Sequence, residues 1–76
     1  MNYIHISVAR KMLESPEPVD LKVLTVKGEV RCYEKVVGLK FDFYKGTRRI
    51  KFVRSGEVRQ IRDALIMEIN GMAVGL

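Results

Sequence analysis

The chain has 76 residues, a length that fits one domain (1–76) and excludes a second. Hydrophobic residues make up 47% and charged residues 30%, a balance that excludes a disordered chain. The 14 Lys and Arg against 9 Asp and Glu give a net charge of +5, which favours acidic partners, and the single cysteine excludes an internal disulfide.

The N-terminal segment, residues 1–15, predicts a short amphipathic helix. Ile4, Val8 and Met12 recur at helical spacing, so we expect a helix over about residues 3–14. The first residues also alternate between apolar and polar, and a short strand is the competing interpretation. Two prolines then end this segment, because proline removes a backbone donor and disfavours a continued helix.

Residues 19–76 predict a β module divided by turns that contain glycine. Asn-Gly is the strongest of these hairpin signals, since a tight turn needs the positive φ that both residues tolerate. The candidate turns are Lys27-Gly28, Lys45-Gly46 and Asn70-Gly71. Folding the chain back at these turns predicts pairings that include Val23 with Cys32, Phe41 with Ile50, Lys40 with Lys51, Ile69 with Met72, and Leu65 with Leu76. Each hairpin then gains one largely apolar face, as a half-buried sheet requires.

Residues 57–69 fit two templates. Val58, Ile61 and Leu65 lie on one face of a helix, but the same segment also fits the approach to a hairpin and its first arm. We favour the hairpin, because a helix leaves the apolar tail of the chain unexplained. Residues 55–61 then form a loop or a single helical turn.

The predicted fold is mainly β (α+β). We expect an N-terminal helix followed by a small β-barrel or a rolled antiparallel sheet of about five to six strands, since short strands with regularly spaced turns are typical of such folds. The alternative is a four-stranded meander closed by a C-terminal helix.

The sequence predicts a cytoplasmic protein with no membrane role. Its longest aliphatic run, residues 64–67, is far short of the roughly 20 residues that span a bilayer. The first residues lack the pattern of an export signal, and a single unpaired cysteine is typical of a reducing compartment.

The positive charge is concentrated in residues 40–62. This stretch has eight basic and two acidic side chains, a net +6, whereas the other residues carry −1. In the predicted register Lys40 opposes Lys51, and a sheet that tolerates such a like-charge pair can be holding it for an anionic partner. Basic groups beside an aromatic residue are typical of small barrels that bind single-stranded nucleic acid. The candidate nucleic-acid-binding residues are Lys40, Tyr44, Lys45, Arg48, Arg49, Lys51 and Arg54. The alternative interpretation is a solvated face whose charges protect a sheet edge.

The last predicted hairpin indicates self-association. Ala64, Ile66 and Ala73 make its second face partly apolar, and a strand pair apolar on both sides must be covered on both sides. In so short a chain the second cover can be another subunit, so we predict a homo-oligomer. The candidate interface residues are Leu65, Ile66, Met67, Met72 and Val74.

Few residues in the chain suit catalysis. His5 is the only histidine and has no Cys, Asp or Glu at the third or fourth position after it, so we expect it to pack against the sheet. Cys32 is expected to be a buried mid-strand thiol. The sequence has no phosphate-binding glycine loop and no local carboxylate pair, which predicts a protein that is not an enzyme and needs no cofactor or metal.

Three stretches carry a resemblance to a known group: GTRRIK at 46–51, SGEVRQIRD at 55–63 and EINGM at 68–72. They resemble small proteins carried by phages and mobile elements of gut anaerobes, which are similar in outline to Sm-like or SH3-like small barrels of the WYL type. The resemblance covers about residues 20–76 and implies a β fold with ligand or nucleic-acid binding and no catalysis. Together these observations predict a binding or regulatory module that acts on nucleic acid or another acidic partner. The alternative is a self-associating structural or adaptor protein of a phage or mobile element.

Overall fold

The structure, a computed structural model, describes residues 3–75 and is mainly β, as predicted. Met1, Asn2 and Leu76 lie outside the described residues, and with them the predicted pairing of Leu65 with Leu76. The elements in chain order are β1 (Tyr3–His5), α1 (Ile6–Glu14), β2 (Val19–Leu24), β3 (Val30–Asp42), β4 (Thr47–Phe52), β5 (Val58–Arg62), a 3₁₀ turn (Asp63–Leu65), β6 (Ile66–Ile69) and β7 (Met72–Gly75).

The strands form one mixed sheet in the order β1-β7-β6-β2-β3-β4-β5. Neighbouring strands run antiparallel except β1 and β7, which pair in parallel. Within residues 3–75 the end strands β1 and β5 do not pair with each other, so the sheet stays open and the prediction of a closed barrel is wrong. The sheet also has seven strands, more than the predicted number.

The helix begins at Ile6, later than predicted, because Tyr3–His5 pairs with β7 as a strand. His5 marks the boundary, with an extended backbone (φ −75°, ψ 149°) and a side chain that accepts a hydrogen bond from the backbone N–H of Ser7. This bond satisfies one of the donors that the first turn of a helix leaves without a partner. The strand and helix interpretations of the N-terminal segment therefore apply to successive residues.

The helix packs on the sheet through Ile6, Ala9 and Leu13, which are buried with the apolar residues of the central strands. Its closest approach is at Gly38 of β3, where a Cβ atom would lie 2.2 Å from the carbonyl oxygen of Leu13. Glycine at this position therefore lets the last turn of α1 rest directly on the β3 backbone. No helix among residues 3–75 is long and apolar enough to cross a membrane.

The Asn70-Gly71 turn has the predicted register, with Ile69 opposite Met72. Both turn residues have positive φ, 49° at Asn70 and 79° at Gly71. This is the backbone geometry that a two-residue hairpin turn requires, and Asn-Gly adopts it with little strain.

The β2–β3 hairpin is one residue out of the predicted register, with Cys32 opposite Lys22 rather than Val23. Its connection covers residues 25–29 instead of a two-residue turn. Because the side-chain period of a strand is two, the shift moves Cys32 to the exposed face. The expectation that Cys32 is buried is therefore wrong.

The β3–β4 hairpin departs further from the prediction. The observed pairs include Val37 with Lys51, Gly38 with Ile50, and Phe41 with Arg48. The connection has four residues, 43–46, and β3 contains a bulge before it, and both shift the register. The predicted pairs of Lys40 with Lys51 and of Phe41 with Ile50 are therefore wrong.

Residues 57–69 form two strands joined by a single turn. β5 (Val58–Arg62) pairs with β4, the 3₁₀ turn (Asp63–Leu65) follows, and β6 begins at Ile66. The prediction of a loop or helical turn over 55–61 holds for residues 55–57, which lie in the connection between β4 and β5, and is wrong for residues 58–61, which belong to β5. The alternative of a C-terminal helix is wrong as well. Hydrogen-bonded pairing with β4 decides the conformation of residues 58–62, because the pattern of these residues alone also fits a helix.

Candidate functional site

An open depression of ≈ 580 Å³ lies beside the four-residue loop that joins β3 to β4. Four of the predicted nucleic-acid-binding residues line it, namely Lys40, Tyr44, Lys45 and Arg49. We call the complete lining the hairpin site: Lys40, Phe41, Asp42, Phe43, Tyr44, Lys45, Thr47, Arg49 and Gln60. The structure thus brings together the central members of the predicted set.

Asp42 holds the loop of the hairpin site in one shape. Its carboxylate Oδ1 accepts hydrogen bonds from the backbone N–H groups of Tyr44 at 3.0 Å and Lys45 at 3.2 Å. Its carbonyl oxygen accepts a third from the N–H of Gly46 at 2.8 Å. Gly46 has a φ of 66°, a conformation that favours glycine. The loop side chains therefore project from a fixed backbone.

Two aromatic rings of the loop stand in solvent. Phe43 is 82% exposed and Tyr44 is 98% exposed. Their ring centroids are 6.2 Å apart with an angle of 85° between the ring planes. Large aromatic side chains are usually buried in part, so a solvent-exposed pair is typical of an interaction surface.

Three cationic side chains line the same depression as these rings. Lys40, Lys45 and Arg49 are exposed, and within residues 3–75 none of them forms an ion pair. The single carboxylate in the lining, that of Asp42, accepts hydrogen bonds from the loop backbone. The hairpin site therefore has an excess of positive charge that attracts anions.

Arg48, which the sequence places among the surface candidates, is buried. Side chains alternate along β4, so Arg48 points into the protein while Arg49 and Lys51 point outward. The guanidinium of Arg48 donates two hydrogen bonds to the buried carboxylate of Asp63. Arg48 is therefore a residue of the fold and does not reach a ligand at the hairpin site.

The last two candidates lie beyond the depression. Lys51 is exposed on the same face of β4 as Arg49, two residues further along the strand. Arg54 is exposed in the connection between β4 and β5. Neither residue lines the depression, so they extend the basic surface rather than form part of the hairpin site.

The predicted oligomer interface does not form one exposed surface. Ile66 is a core residue, and Met72 and Val74 pack against that core. Leu65 is partly buried in the 3₁₀ turn, and Met67 is exposed. A bulge in β6 accounts for this arrangement, because it turns Ile66 inward and leaves Met67 outside. The expectation that Ile66 lies on a face open to a second subunit is therefore wrong.

His5 and Cys32 lie outside the hairpin site. His5 is exposed and caps α1, so the expectation that it packs against the sheet is wrong. In the part of the chain that the structure describes, no cluster of His, Cys, Asp or Glu is arranged to hold a metal ion.

On β2 the hydrogen bond from Lys22 to Glu68, 3.1 Å long, raises the pKa of Lys22 above its ordinary value. This ion pair links β2 to β6.

The sequence-based prediction omits five members of the hairpin site, namely Phe41, Asp42, Phe43, Thr47 and Gln60. Phe43 precedes Tyr44 directly, and two adjacent aromatic residues beside a turn glycine were the available signal. Gln60 lies on β5 opposite Arg49. No local pattern marks Gln60, because only the pairing of β5 with β4 brings it to the depression.

Comparison with known proteins assigns no family to the chain. No protein-family model, no curated protein and no solved structure matches it. Its function is therefore inferred from the side chains of the hairpin site.

Proposed function

We propose that the protein binds single-stranded nucleic acid at the hairpin site. The observation that carries this proposal is the juxtaposition of two solvent-exposed rings, Phe43 and Tyr44, with three cations that have no ion-pair partner within residues 3–75. Proteins that bind single strands combine cations that follow the phosphates with aromatic rings on which bases stack.

The position of the rings favours a single strand over a duplex. Phe43 and Tyr44 project from the tip of a loop, and their ring planes are nearly perpendicular, so each ring offers a face to a separate base. In a duplex the base faces are already stacked on each other, whereas an unpaired base is free to stack on a protein ring. Each such contact is worth about 1–3 kcal/mol of binding free energy.

The lining of the hairpin site supports binding rather than catalysis. It contains no histidine, cysteine or serine, and its one hydroxyl besides Tyr44 belongs to the buried Thr47. The carboxylate of Asp42 bonds to the loop backbone, where it is a poor general base. We therefore propose a binding or regulatory role without an enzymatic step.

We also propose that the protein works in the cytoplasm. Cys32 is exposed and has no disulfide partner. Exposed thiols of this kind stay reduced in the cytoplasm, whereas oxidising compartments convert them to disulfides or higher oxidation states.

Fluorescence anisotropy with a labelled oligothymidylate of about 12 nucleotides tests the nucleic-acid proposal. Binding should weaken with salt, and three phosphate contacts predict a slope of about −2 for log K against log salt. The double variant Phe43→Ala/Tyr44→Ala should weaken binding about 30-fold or more and leave the slope unchanged. The single variants Lys45→Gln and Arg49→Gln should each reduce the slope by about 0.7.

Two matched controls lie away from the hairpin site. Tyr3→Ala removes an exposed ring from β1, and Lys11→Gln removes an exposed charge from α1. Both controls should bind as the parent protein does. Equal losses in the controls and in the hairpin variants would show that only net charge attracts the strand, and the proposal would then fail.

A further inference from the structure

The strand β5 (Val58–Arg62) forms one end of the sheet, and within residues 3–75 it pairs with β4 alone. The ladder with β4 runs through all five residues of β5 without a bulge. In an antiparallel ladder alternate residues direct their N–H and C=O groups away from the partner strand. The outer edge of β5 therefore presents a regular row of backbone donors and acceptors that a further strand could pair with.

The opposite end of the sheet is built differently. β1 has three residues, pairs in parallel with β7, and runs directly into α1. Sheet edges are usually protected by short length, by proline, by a bulge or by charged side chains, and the charges of β5 repel a basic strand while they attract an acidic one. β5 contains no proline and no bulge in its ladder, so it is the more accessible of the two edges.

A groove of ≈ 290 Å³ lies on one face of the sheet at β5 and extends over Tyr33 of β3 and Thr47 of β4. Apolar side chains of β2 and of the loop that follows it form part of the lining, and Val26 among them is 79% exposed. Ile61 of β5 and Leu65 of the 3₁₀ turn add further apolar surface. A strand added along β5 would direct every second side chain toward this groove, because side chains alternate between the two faces of a strand.

The charge of β5 selects the kind of strand that fits. Arg59 and Arg62 are both exposed, and β5 has no acidic residue. Arg62 forms no ion pair within residues 3–75, while Arg59 pairs with Glu57 at 2.6 Å. A second copy of β5 is a poor occupant, because self-pairing would add two further arginines to a short ladder that already carries Arg59 and Arg62. An acidic strand complements the same charges.

We infer that β5 is a docking edge for an extended acidic peptide of a partner protein. The peptide adds to the sheet as a further strand. Arg59 and Arg62 lie on opposite faces of β5, so carboxylates three residues apart in the peptide meet one arginine on each face, and an apolar side chain between them enters the groove. Backbone hydrogen bonds to β5 supply affinity, and the side chains supply specificity, as in other cases of strand addition. The docking edge is independent of the proposed nucleic-acid function, although Thr47 and Gln60 line both depressions.

A labelled peptide with two glutamates three positions apart, acetyl-Val-Glu-Val-Val-Glu-Val-amide, is the probe that tests this inference, because that spacing directs one carboxylate to each face of the added strand. Two further peptides carry N-methyl groups on alternate amides, one on the odd-numbered residues and the other on the even-numbered residues. In the added strand only one of these two sets of amides, or phases, points its N–H groups toward β5. Methylation of that set removes hydrogen bonds to β5, so that peptide should bind about tenfold more weakly and the other within about threefold of the parent. Amide hydrogen exchange at the outward-facing residues of β5 should slow when the parent peptide binds.

The protein variant Arg62→Glu should weaken binding of the parent peptide about tenfold, whereas Lys11→Glu on α1 should leave it within about twofold. An equal effect of both methylation phases, or equal binding of a peptide with proline in place of valine, would show attraction by charge alone and overturn the inference. Absence of binding by the parent peptide at millimolar concentration would overturn it as well. Release of the bound peptide by oligothymidylate, together with amide hydrogen exchange at β5 that the peptide does not slow, would count against a separate docking edge.

Discussion

The guanidinium of Arg48 donates two hydrogen bonds to the carboxylate of Asp63, from Nε to Oδ1 at 2.9 Å and from Nη2 to Oδ2 at 3.0 Å. The two side chains are 3% and 2% exposed. Arg10 of α1 reaches Oδ2 of the same carboxylate at 3.2 Å, and the ring of Phe41 lies against both guanidinium groups. One buried carboxylate therefore ties the helix, β4 and the 3₁₀ turn together.

Removing one partner of this pair should be far more damaging than replacing both. We expect Asp63→Ala to lower the free energy of unfolding by about 3–5 kcal/mol, because Arg48 is left charged and buried without its partner. The double variant Arg48→Met/Asp63→Leu should lose less, since apolar side chains need no compensating charge. Arg10→Gln should cost at most about 1 kcal/mol, because Arg10 is half exposed. Urea denaturation measures all three, and an additive double variant would contradict the coupling.

Neighbouring arginines on β4 should respond in opposite ways. Arg49→Gln should weaken oligonucleotide binding and change the free energy of unfolding by less than about 0.5 kcal/mol, because its side chain is exposed. Arg48→Gln should destabilise the fold strongly, for the reason given for Asp63. Anisotropy and denaturation on the same two proteins separate these effects. Loss of binding without loss of stability in the Arg48 variant would be inconsistent with its buried position.

The contact between α1 and β3 depends on glycine at position 38, which has no side chain to hold the helix away from the strand. Gly38→Ala should lower the free energy of unfolding by about 1–3 kcal/mol, because the new Cβ would lie 2.2 Å from the Leu13 carbonyl oxygen and must displace the helix. Gly75→Ala is the matched control, since a Cβ there meets its nearest atoms at 3.8 Å, in ordinary contact. Thermal denaturation should show a lower Tm for the first variant only. Equal Tm values would mean that α1 shifts without cost.

The cap of α1 offers a fourth test. His5 Nδ1 accepts the N–H of Ser7 at 3.1 Å, so His5→Ala should cost about 0.5–2 kcal/mol of unfolding free energy. His5→Asn should recover most of this loss, because its side-chain oxygen can take the same role. The comparison by denaturant titration distinguishes a capping role from packing, for which asparagine would be no better than alanine.

The Asn70-Gly71 turn has a role beyond its own hairpin. Asn70 Oδ1 accepts the N–H of Asp20 at 2.9 Å, and the Asn70 N–H donates to the Asp20 carbonyl at 2.8 Å. Asn70→Gly keeps the turn conformation and removes only the side-chain acceptor, and we expect a loss of about 0.5–1.5 kcal/mol in unfolding free energy. Asn70→Asp keeps an acceptor oxygen and should lose less. No difference between the two variants would show that the side-chain bond contributes nothing.

Local features were the ones that the sequence predicted well. The register of the last hairpin follows from Asn-Gly, because positive φ at two successive residues is a property of those residues themselves. The sequence also predicted the mainly β fold and the concentration of positive charge in residues 40–62. The grouping of Lys40, Tyr44, Lys45 and Arg49 around one depression also follows the predicted placement of the central turn.

Features that depend on distant contacts were the ones that it missed. The bulges in β3 and β6 change which side chains face the core, and no turn or periodicity signal in the sequence marks them. The burial of Arg48 requires Asp63, which lies 15 residues further along the chain. β5 is a strand because β4 pairs with it, although its own residues also suit a helix.

The sequence by itself determined which segments turn, where the charge lies and which class of fold forms, because these depend on backbone preferences and composition. The tertiary structure alone decided which of two adjacent arginines meets solvent, which strands end the sheet and why the sheet stays open. These outcomes arise from the register between paired strands, which bulges and the lengths of the connections set, and from pairings between distant strands such as β1 with β7. A shift of one residue exchanges the buried and exposed faces.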